Sequence, residues 1–342
     1  MASSSRVPVR LRLEDLIGLT FFLLTLAIRV FVRGLESELL SPADVLVIIP
    51  AMTVLLAKEF VHYFLMGSSA QEGASGKGLK AFIRPYWEIV RDWCPFLVIL
   101  LMYYSLWGDA THLLVTRDMD NALIEWDQRL FGMQASLAIE PWISPPLTAW
   151  MQFAYFFHIV NVPLVACFVY LRRKRERFRE MMTGIVVVTF FGLIGYLLVP
   201  AIGPLYTLRD QYTVPLTVPL DIVNRQIEFM DFARIRRDVF PSLHVGISFV
   251  AWLYAFRNSR KLFWILSPIL VSLFVSTIYL RYHYLIDVVA GLALAPCCFL
   301  LANVLFKRWG ELQFTLPLPE AWARRFGAAR PSSVATSAGG KS

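Results

Sequence analysis

The stretch LFWILSPILVSLFVSTIYLRYHYLIDVVAGLALAPCCFLLANVLF (residues 262–306) decides the class of this protein. It holds two apolar runs, each long enough for a helix across the ~30 Å hydrocarbon layer of a bilayer. Between them lies one polar island, Arg281-Tyr282-His283-Tyr284-Leu285-Ile286-Asp287. A second island, Phe240-Pro241-Ser242-Leu243-His244, stands at the edge of the preceding apolar run. Hydrocarbon does not tolerate ionisable groups without a reason, so the serine, histidines, arginine and aspartate collected at these boundaries read as a site.

The same pattern extends outward. With 57% hydrophobic residues over 342 positions, the chain reads as a polytopic helical membrane protein and not as a soluble two-domain enzyme. The expected fold class is all-α, a membrane helical bundle of about eight transmembrane helices, at residues 14–33, 43–66, 93–116, 146–171, 181–202, 241–257, 262–281 and 284–306. The first of these lacks a small-residue cleavage site at its end, so it reads as a span and not as a removed signal. The dense basic loop Arg172-Arg173-Lys174-Arg175-Glu176-Arg177-Phe178-Arg179 belongs in the cytoplasm. Alternation then puts the N-terminus (Arg6, Arg10, Arg12), the second-to-third connection (Lys77, Lys80, Arg84, Arg91), the Arg257 to Lys261 turn and the tail from Lys307-Arg308 on the same side, and all are basic. Both polar islands fall on the outer side, as does the long segment 203–240 with Arg209, Asp210, Arg234, Arg236 and Arg237. The net charge of +8 is accounted for by orientation signals, and no nucleic-acid partner is expected. Cys94, Cys167, Cys297 and Cys298 lie within apolar runs without metal-ligand spacing and read as small core residues.

The islands define a chemistry. His283 and Asp287 are four residues apart, so a helix starting near Tyr282 puts them one turn apart on one face. The carboxylate can then accept the imidazole N–H, fix its tautomer and make the other nitrogen a nucleophile. His244 follows Pro241, a residue favoured in a first helical turn, and free N–H groups from Ser242 to His244 would form an anion site. These parts fit phosphoryl transfer, with His283 attacking phosphorus, Asp287 orienting it, His244 protonating the leaving oxygen and Arg281 stabilising charge. No cofactor and no metal are required.

Plainer readings compete. His62, His112 and His158 read as packed or interfacial histidines. Tyr282 and Tyr284 read as interfacial anchors, and Lys58-Glu59 as a snorkelling or re-entrant end. A zinc site from His244, His283, Asp287 and Asp238 is disfavoured by the nearby arginines.

Pro241-Ser242-Leu243-His244 and His283-Tyr284-Leu285-Ile286-Asp287 resemble the second and third motifs of the type 2 phosphatidic acid phosphatase superfamily. Gly203-Pro204 and Asp127-Gln128-Arg129-Leu130-Phe131-Gly132 bring the likeness nearest to its inositol phosphorylceramide synthase-like branch. The resemblance implies a six-helix phosphatase-type core in spans three to eight, with His283 as nucleophile, Asp287 as its partner, His244 as acid, and Ser242 in the phosphate site. Lys77 to Arg84-Pro85 matches the family's first motif in letters, but it falls on the cytoplasmic side and is rejected as the phosphate clamp. The family position instead lies near Gly203-Pro204 to Arg209, which makes Arg209 a phosphate-binding candidate beside Arg281. At the start of the third motif, Ser276-Thr277 stands where the family has Ser-Arg.

The expected organisation is an N-terminal region with two spans and a basic connection (1–92), a catalytic core (93–310) and a flexible cytoplasmic tail (311–342). The expected function is lipid head-group phosphotransfer through a phosphohistidine at the outer face of a bacterial inner membrane, with both termini cytoplasmic and a phospholipid or sphingolipid as substrate. A lipid phosphate phosphatase is the alternative within the family. A lipid transporter or a noncatalytic scaffold is the alternative outside it. Oligomeric state stays open.

Overall fold

A computed structural model describes residues 4–33, 50–55, 57–58, 61, 79–102, 111, 114–172, 174–218, 237–309 and 311–319. Its long helices are α1 (Leu13–Arg33), α2 (Leu79–Met102), α3 (Asp120–Phe131), α4 (Pro145–Leu171), α5 (Arg175–Leu198), α6 (Leu243–Asn258), α7 (Arg260–Tyr279) and α8 (Leu285–Trp309). α1 through Val32, α4, α5, α7 and α8 are each long and apolar enough to cross a membrane. They occupy the runs expected at 14–33, 146–171, 181–202, 262–281 and 284–306. The protein is an integral membrane helical bundle.

α6 lies at the centre, packed by α4, α5, α7 and α8. It has 16 residues, about 24 Å of helix at 1.5 Å per residue, less than the ~30 Å apolar layer. Two glycines let neighbouring backbones close on its N-terminus. A Cβ on Gly195 of α5 would lie 3.1 Å from the Phe240 carbonyl oxygen and closer still to the Pro241 ring, and one on Gly291 of α8 would lie 2.5 Å from the Ser242 carbonyl oxygen. Small residues at such crossings permit the approach that packing in lipid depends on.

Two helix starts differ from expectation. α5 begins at Arg175, before residue 181, because an i,i+3 pair of Arg177 with Glu180 at 3.0 Å continues the helix through charged residues that a hydropathy window excludes. α2 begins at Leu79, before residue 93, and runs through the expected boundary at 92/93. Its first half is amphipathic, with Phe82, Tyr86, Ile89 and Val90 exposed and Arg91 and Asp92 buried. Charge therefore marks a helix face there and not a loop. The run at 43–66 lies mostly outside the described residues, of which 50–55 and 57–58 are helical. His62, Lys77 and His112 are also outside them.

Outside the helices, β1 (Ser4–Arg12) pairs antiparallel with β2 (Glu311–Pro319), Arg12 opposite Glu311. This ribbon takes in residues that composition placed in the flexible tail, and residues 320–342 lie outside the described ones. It joins the start of α1 to the end of α8, at the end of the bundle that also carries the Arg172 to Arg175 connection. Buried charges fasten the first helices to α5 there. Asp92 accepts from Arg12 at 2.8 Å and from Arg175 at 2.7 and 3.0 Å, while Arg179 donates to Glu14 at 3.2 Å. Lys58 is buried and paired with Asp15 in the first turn of α1, so it does not snorkel as the sequence suggested, the partner carboxylate offsetting its burial; Glu59 lies outside the described residues. Arg84 is exposed and pairs with Glu88 on its own helix at 3.3 Å. Of the cysteines, Cys94 and Cys298 are buried as expected, but Cys167 and Cys297 are exposed, because their helices turn those faces away from the bundle.

Candidate active site

The two islands meet at the opposite end, where α5 and α7 finish and α6 and α8 begin. α7 stops at Tyr279, and the chain reverses through Arg281, whose φ of 66° is rare for a residue with a Cβ. The Thr277 carbonyl accepts from the N–H groups of both Tyr282 and His283, each at 3.0 Å, which pulls His283 back against the end of α7. Helix α8 starts at Leu285 and not near Tyr282, so His283 precedes the helix. Asp287 is the third helical residue, and its Oδ2 accepts the Tyr284 N–H at 2.8 Å, the back-bond of a capping box.

Two further carboxylates hold this turn. Asp127 of α3 accepts the Leu285 N–H at 2.9 Å and the Ile286 N–H at 2.8 Å, one on each oxygen. Burial pushes the Asp127 carboxyl above the ordinary aspartate value, with those two N–H groups pulling the other way. Asp120 accepts the Tyr284 hydroxyl at 2.8 Å together with the N–H groups of Ile202 at 3.0 Å and Gly203 at 2.8 Å. Gly203, at φ 94°, opens the short helix Pro204–Thr207. The Thr207 hydroxyl lies 2.6 Å from that of Tyr284.

On the other island, Ser242 is the N-cap of α6, its Oγ accepting from the Val245 N–H at 3.5 Å. The Ser242 N–H donates to the Asp287 carbonyl at 3.1 Å, tying the two islands together. Pro241 therefore precedes the cap and is not in the first turn, since the serine hydroxyl claims the capping position. His244 is the second residue of α6. Its Nδ1 lies 3.2 Å from His283 Nε2, and His283 Nδ1 lies 3.5 Å from Asp287 Oδ2. Asp287 and Ser242 are fully buried, and His283 is nearly so.

Aromatic rings of α4 back this pair. The Tyr155 hydroxyl is 2.9 Å from His244 Nε2, and His158 stands edge-on to His244 with ring centroids 4.5 Å apart. Tyr282 packs on Tyr155 at 4.8 Å between centroids. Tyr282 and Tyr284 are buried and are not interfacial anchors; ring stacking and the Asp120 carboxylate offer them polar and apolar partners inside the bundle.

A cleft of about 430 Å³ is lined by Leu205, Tyr206, Arg209, Tyr212, Thr213 and Arg281 among others; neither His244 nor His283 lines it, and Arg281, two residues before His283, links the two. Arg281 donates to Glu140 at 2.8 Å and to the Val214 carbonyl, and its guanidinium covers the Tyr212 ring at 3.8 Å. Burial lowers the Arg281 pKa from its ordinary value, with Glu140 acting against that shift. Glu140 also accepts from the Thr213 N–H, the Thr213 hydroxyl and the Val214 N–H at 2.9–3.2 Å. Burial alone would raise its carboxyl, but the Val214 and Thr213 donors and then Arg281 outweigh it and hold it below the ordinary glutamate range. Arg209 stands exposed at the cleft.

Residues 121–301, more than half of the chain, match the profile of the PAP2 superfamily. The chain belongs to this superfamily. A phosphoinositol dihydroceramide synthase of Bacteroides thetaiotaomicron is 26% identical over 159 residues, covering 42% of this chain and 52% of that protein. The PAP2 chain thus spans about half the length of the curated relative it matches. No solved structure matches it. As a PAP2 protein with membrane-spanning helices, it is a membrane enzyme, and the motif likeness to the inositol phosphorylceramide synthase-like branch agrees with this relative.

Within the PAP2 region, the structure brings His244, His283, Asp287 and Ser242 together. It puts Arg281 and Arg209 on the neighbouring cleft. Three contributors, Glu140, Asp120 and Tyr155, were missed by sequence reasoning, and the buried structural role of Arg237 was missed with them. Glu140 is a lone acid in an otherwise apolar stretch and could have been flagged on that ground. Arg237 stood in a group of loop arginines; it is buried, at φ 73°, and donates to Asp118 and to the carbonyls of Thr111, Val115 and Thr116. Asp120 and Tyr155 carried no signal, since their partners are distant in sequence.

Proposed function

We propose that this PAP2 enzyme moves a phosphorylated head group from a membrane lipid to an alcohol acceptor through a phosphohistidine on His283. The observation that carries the reading is the 3.2 Å apposition of His244 Nδ1 and His283 Nε2, with Asp287 behind His283. A transporter lining would place such groups along a path, whereas catalysis on one phosphate needs them within hydrogen-bond reach. His283 Nε2 attacks phosphorus while Asp287 holds the other nitrogen protonated. His244 gives its Nδ1 proton to the leaving oxygen, and after the leaving alcohol departs it takes the proton of the acceptor hydroxyl. Ser242 fixes the start of α6, so that the N-terminal N–H groups of that helix face the phosphate. Arg209 and Arg281 attract the head group into the cleft, Arg209 as the exposed cation and Arg281 as the pinned wall.

The likeness to a phosphoinositol dihydroceramide synthase supports transfer over hydrolysis. The basic loop at the opposite end of the bundle supports a cytoplasmic location for that end, a periplasmic active site and cytoplasmic termini in a bacterial inner membrane. The test uses purified full chain in vesicles with phosphatidylinositol, with and without ceramide, in excess chelator. The expected result is a ceramide-dependent transfer of phosphoinositol that His283→Ala abolishes. Release of phosphate from phosphatidic acid with no transfer to ceramide would assign the site to a phosphatase instead, and loss of activity in chelator would remove the metal-independent mechanism.

A further inference from the structure

His244 meets a partner at each ring nitrogen. Nδ1 faces His283 at 3.2 Å, and Nε2 faces the Tyr155 hydroxyl at 2.9 Å. Tyr155 is itself fixed in place. It is buried in α4, tilted 33° to the His244 ring at 4.9 Å between centroids and packed against Tyr282. One turn on, His158 Nδ1 donates to the Tyr155 carbonyl at 2.8 Å, which sets the His158 ring edge-on against His244 at 80°. The rings of Tyr155, His158 and His283 thus flank the imidazole on which the proposed acid chemistry depends and restrict its rotation.

We infer that Tyr155 is the positioning residue that sets the tautomer of His244, an inference that rests on the phosphotransfer reading above. Its phenol oxygen accepts the Nε2–H, so that neutral His244 keeps its proton on Nε2 and presents the Nδ1 lone pair to the reacting phosphate. The second nitrogen of a catalytic imidazole is commonly fixed in this way by a carboxylate or carbonyl; here a phenol oxygen does so without adding charge to the buried site. In the resting state, protonated His244 donates Nδ1–H to His283 Nε2, and His283 carries its own proton on Nδ1 toward Asp287. As the bond from His283 Nε2 to phosphorus forms and the bond to the leaving oxygen breaks, the Nδ1 proton passes to that oxygen. Neutral His244 remains, with Nε2–H held by Tyr155. In the second half, Nδ1 takes the acceptor hydroxyl's proton as the oxygen–phosphorus bond forms and the nitrogen–phosphorus bond breaks. Tyr155 keeps its own proton throughout.

Tyr155→Phe retains the ring packing and removes only the oxygen, so the experiment compares this variant with wild type on two phosphodiester donors. One donor loses an alkoxide, as phosphatidylinositol does, and the other carries a nitrophenolate leaving group that needs no protonation. On the alkoxide donor, kcat is expected to fall about 10- to 100-fold with KM unchanged and the pH profile displaced, within the range of general acid–base effects. On the nitrophenolate donor, kcat is expected to hold within about threefold. A separate readout, independent of turnover, is the ¹⁵N shift of His244 in labelled protein: Nε2-protonated in neutral wild-type imidazole, a tautomer mixture in Tyr155→Phe. Equal losses on both donors with an unchanged pH profile, or an unchanged tautomer, would overturn the role given to Tyr155. Wild-type protein inactive on both donors, with the Nε2–H tautomer present, would instead overturn the phosphotransfer reading and with it the catalytic purpose of the tyrosine.

Discussion

Asp127→Ala probes the way the turn before α8 is built. The carboxylate accepts two part-buried N–H groups, from Leu285 and Ile286, at 2.9 and 2.8 Å. Leaving a buried donor without an acceptor costs about 1–3 kcal/mol, and losing a negative charge at a helix N-terminus costs about 0.3–1 kcal/mol more. For two donors the sum is about 2–7 kcal/mol, and because they are only part-buried and water can enter the vacated space, its lower part applies, about 2–4 kcal/mol. The assay is heat-induced unfolding in detergent followed by circular dichroism, with Arg129→Ala as the control. Arg129 lies one turn along from Glu125 on the same helix, but that pair is exposed and contributes only about 0.3–0.5 kcal/mol. Asp127→Ala should lower the unfolding midpoint by several degrees more than Arg129→Ala, with Asp127→Asn in between because it keeps one acceptor oxygen. It should also reduce kcat, since His283 sits two residues before the freed N–H groups and a misplacement of about 1 Å can reduce a rate about 100-fold. Equal midpoints for Asp127→Ala and Arg129→Ala would refute the capping argument.

Glu140 supplies a pH dependence. Its carboxyl lies below the ordinary value in the folded protein, so the stability it contributes is fully present above the unfolded-state value and is lost as pH falls through the lowered folded one. An unfolding-midpoint titration should show this acid limb in wild type and a weaker one in Glu140→Gln. Lys58→Met should be among the most destabilising changes in the N-terminal region, at about 3–5 kcal/mol, because it strands the Asp15 carboxylate. Adding Asp15→Leu should recover much of the loss, and a double variant as unstable as the single would show that the pair is not a unit.

How much the sequence disclosed depended on the range of each interaction. Apolar runs revealed α1, α4, α5, α7 and α8 because lipid imposes one rule on every residue of a span. Ser242, His244, His283 and Asp287 were legible because each island is contiguous and polar residues stand out against hydrocarbon. Helix ends were harder. Asp92 and Arg91 read as connection when they form the buried face of α2, and Tyr282 and Tyr284 read as surface anchors when they are buried against Tyr155 and Asp120. Asp120 and Asp127 cap elements far along the chain, so no local pattern announces them. Arg281 stood out in its island, but its pairing with Glu140, 141 residues away, had no local signal.

Transfer by the proposed route requires that His283 become covalently phosphorylated. Wild-type protein incubated with donor labelled in the transferred head group, quenched at alkaline pH to preserve phosphoramidates and mapped by mass spectrometry, tests it most directly. Label is expected on His283 alone, stronger without acceptor and absent in His283→Ala. Label on another residue, or steady turnover with His283 never modified, would contradict it.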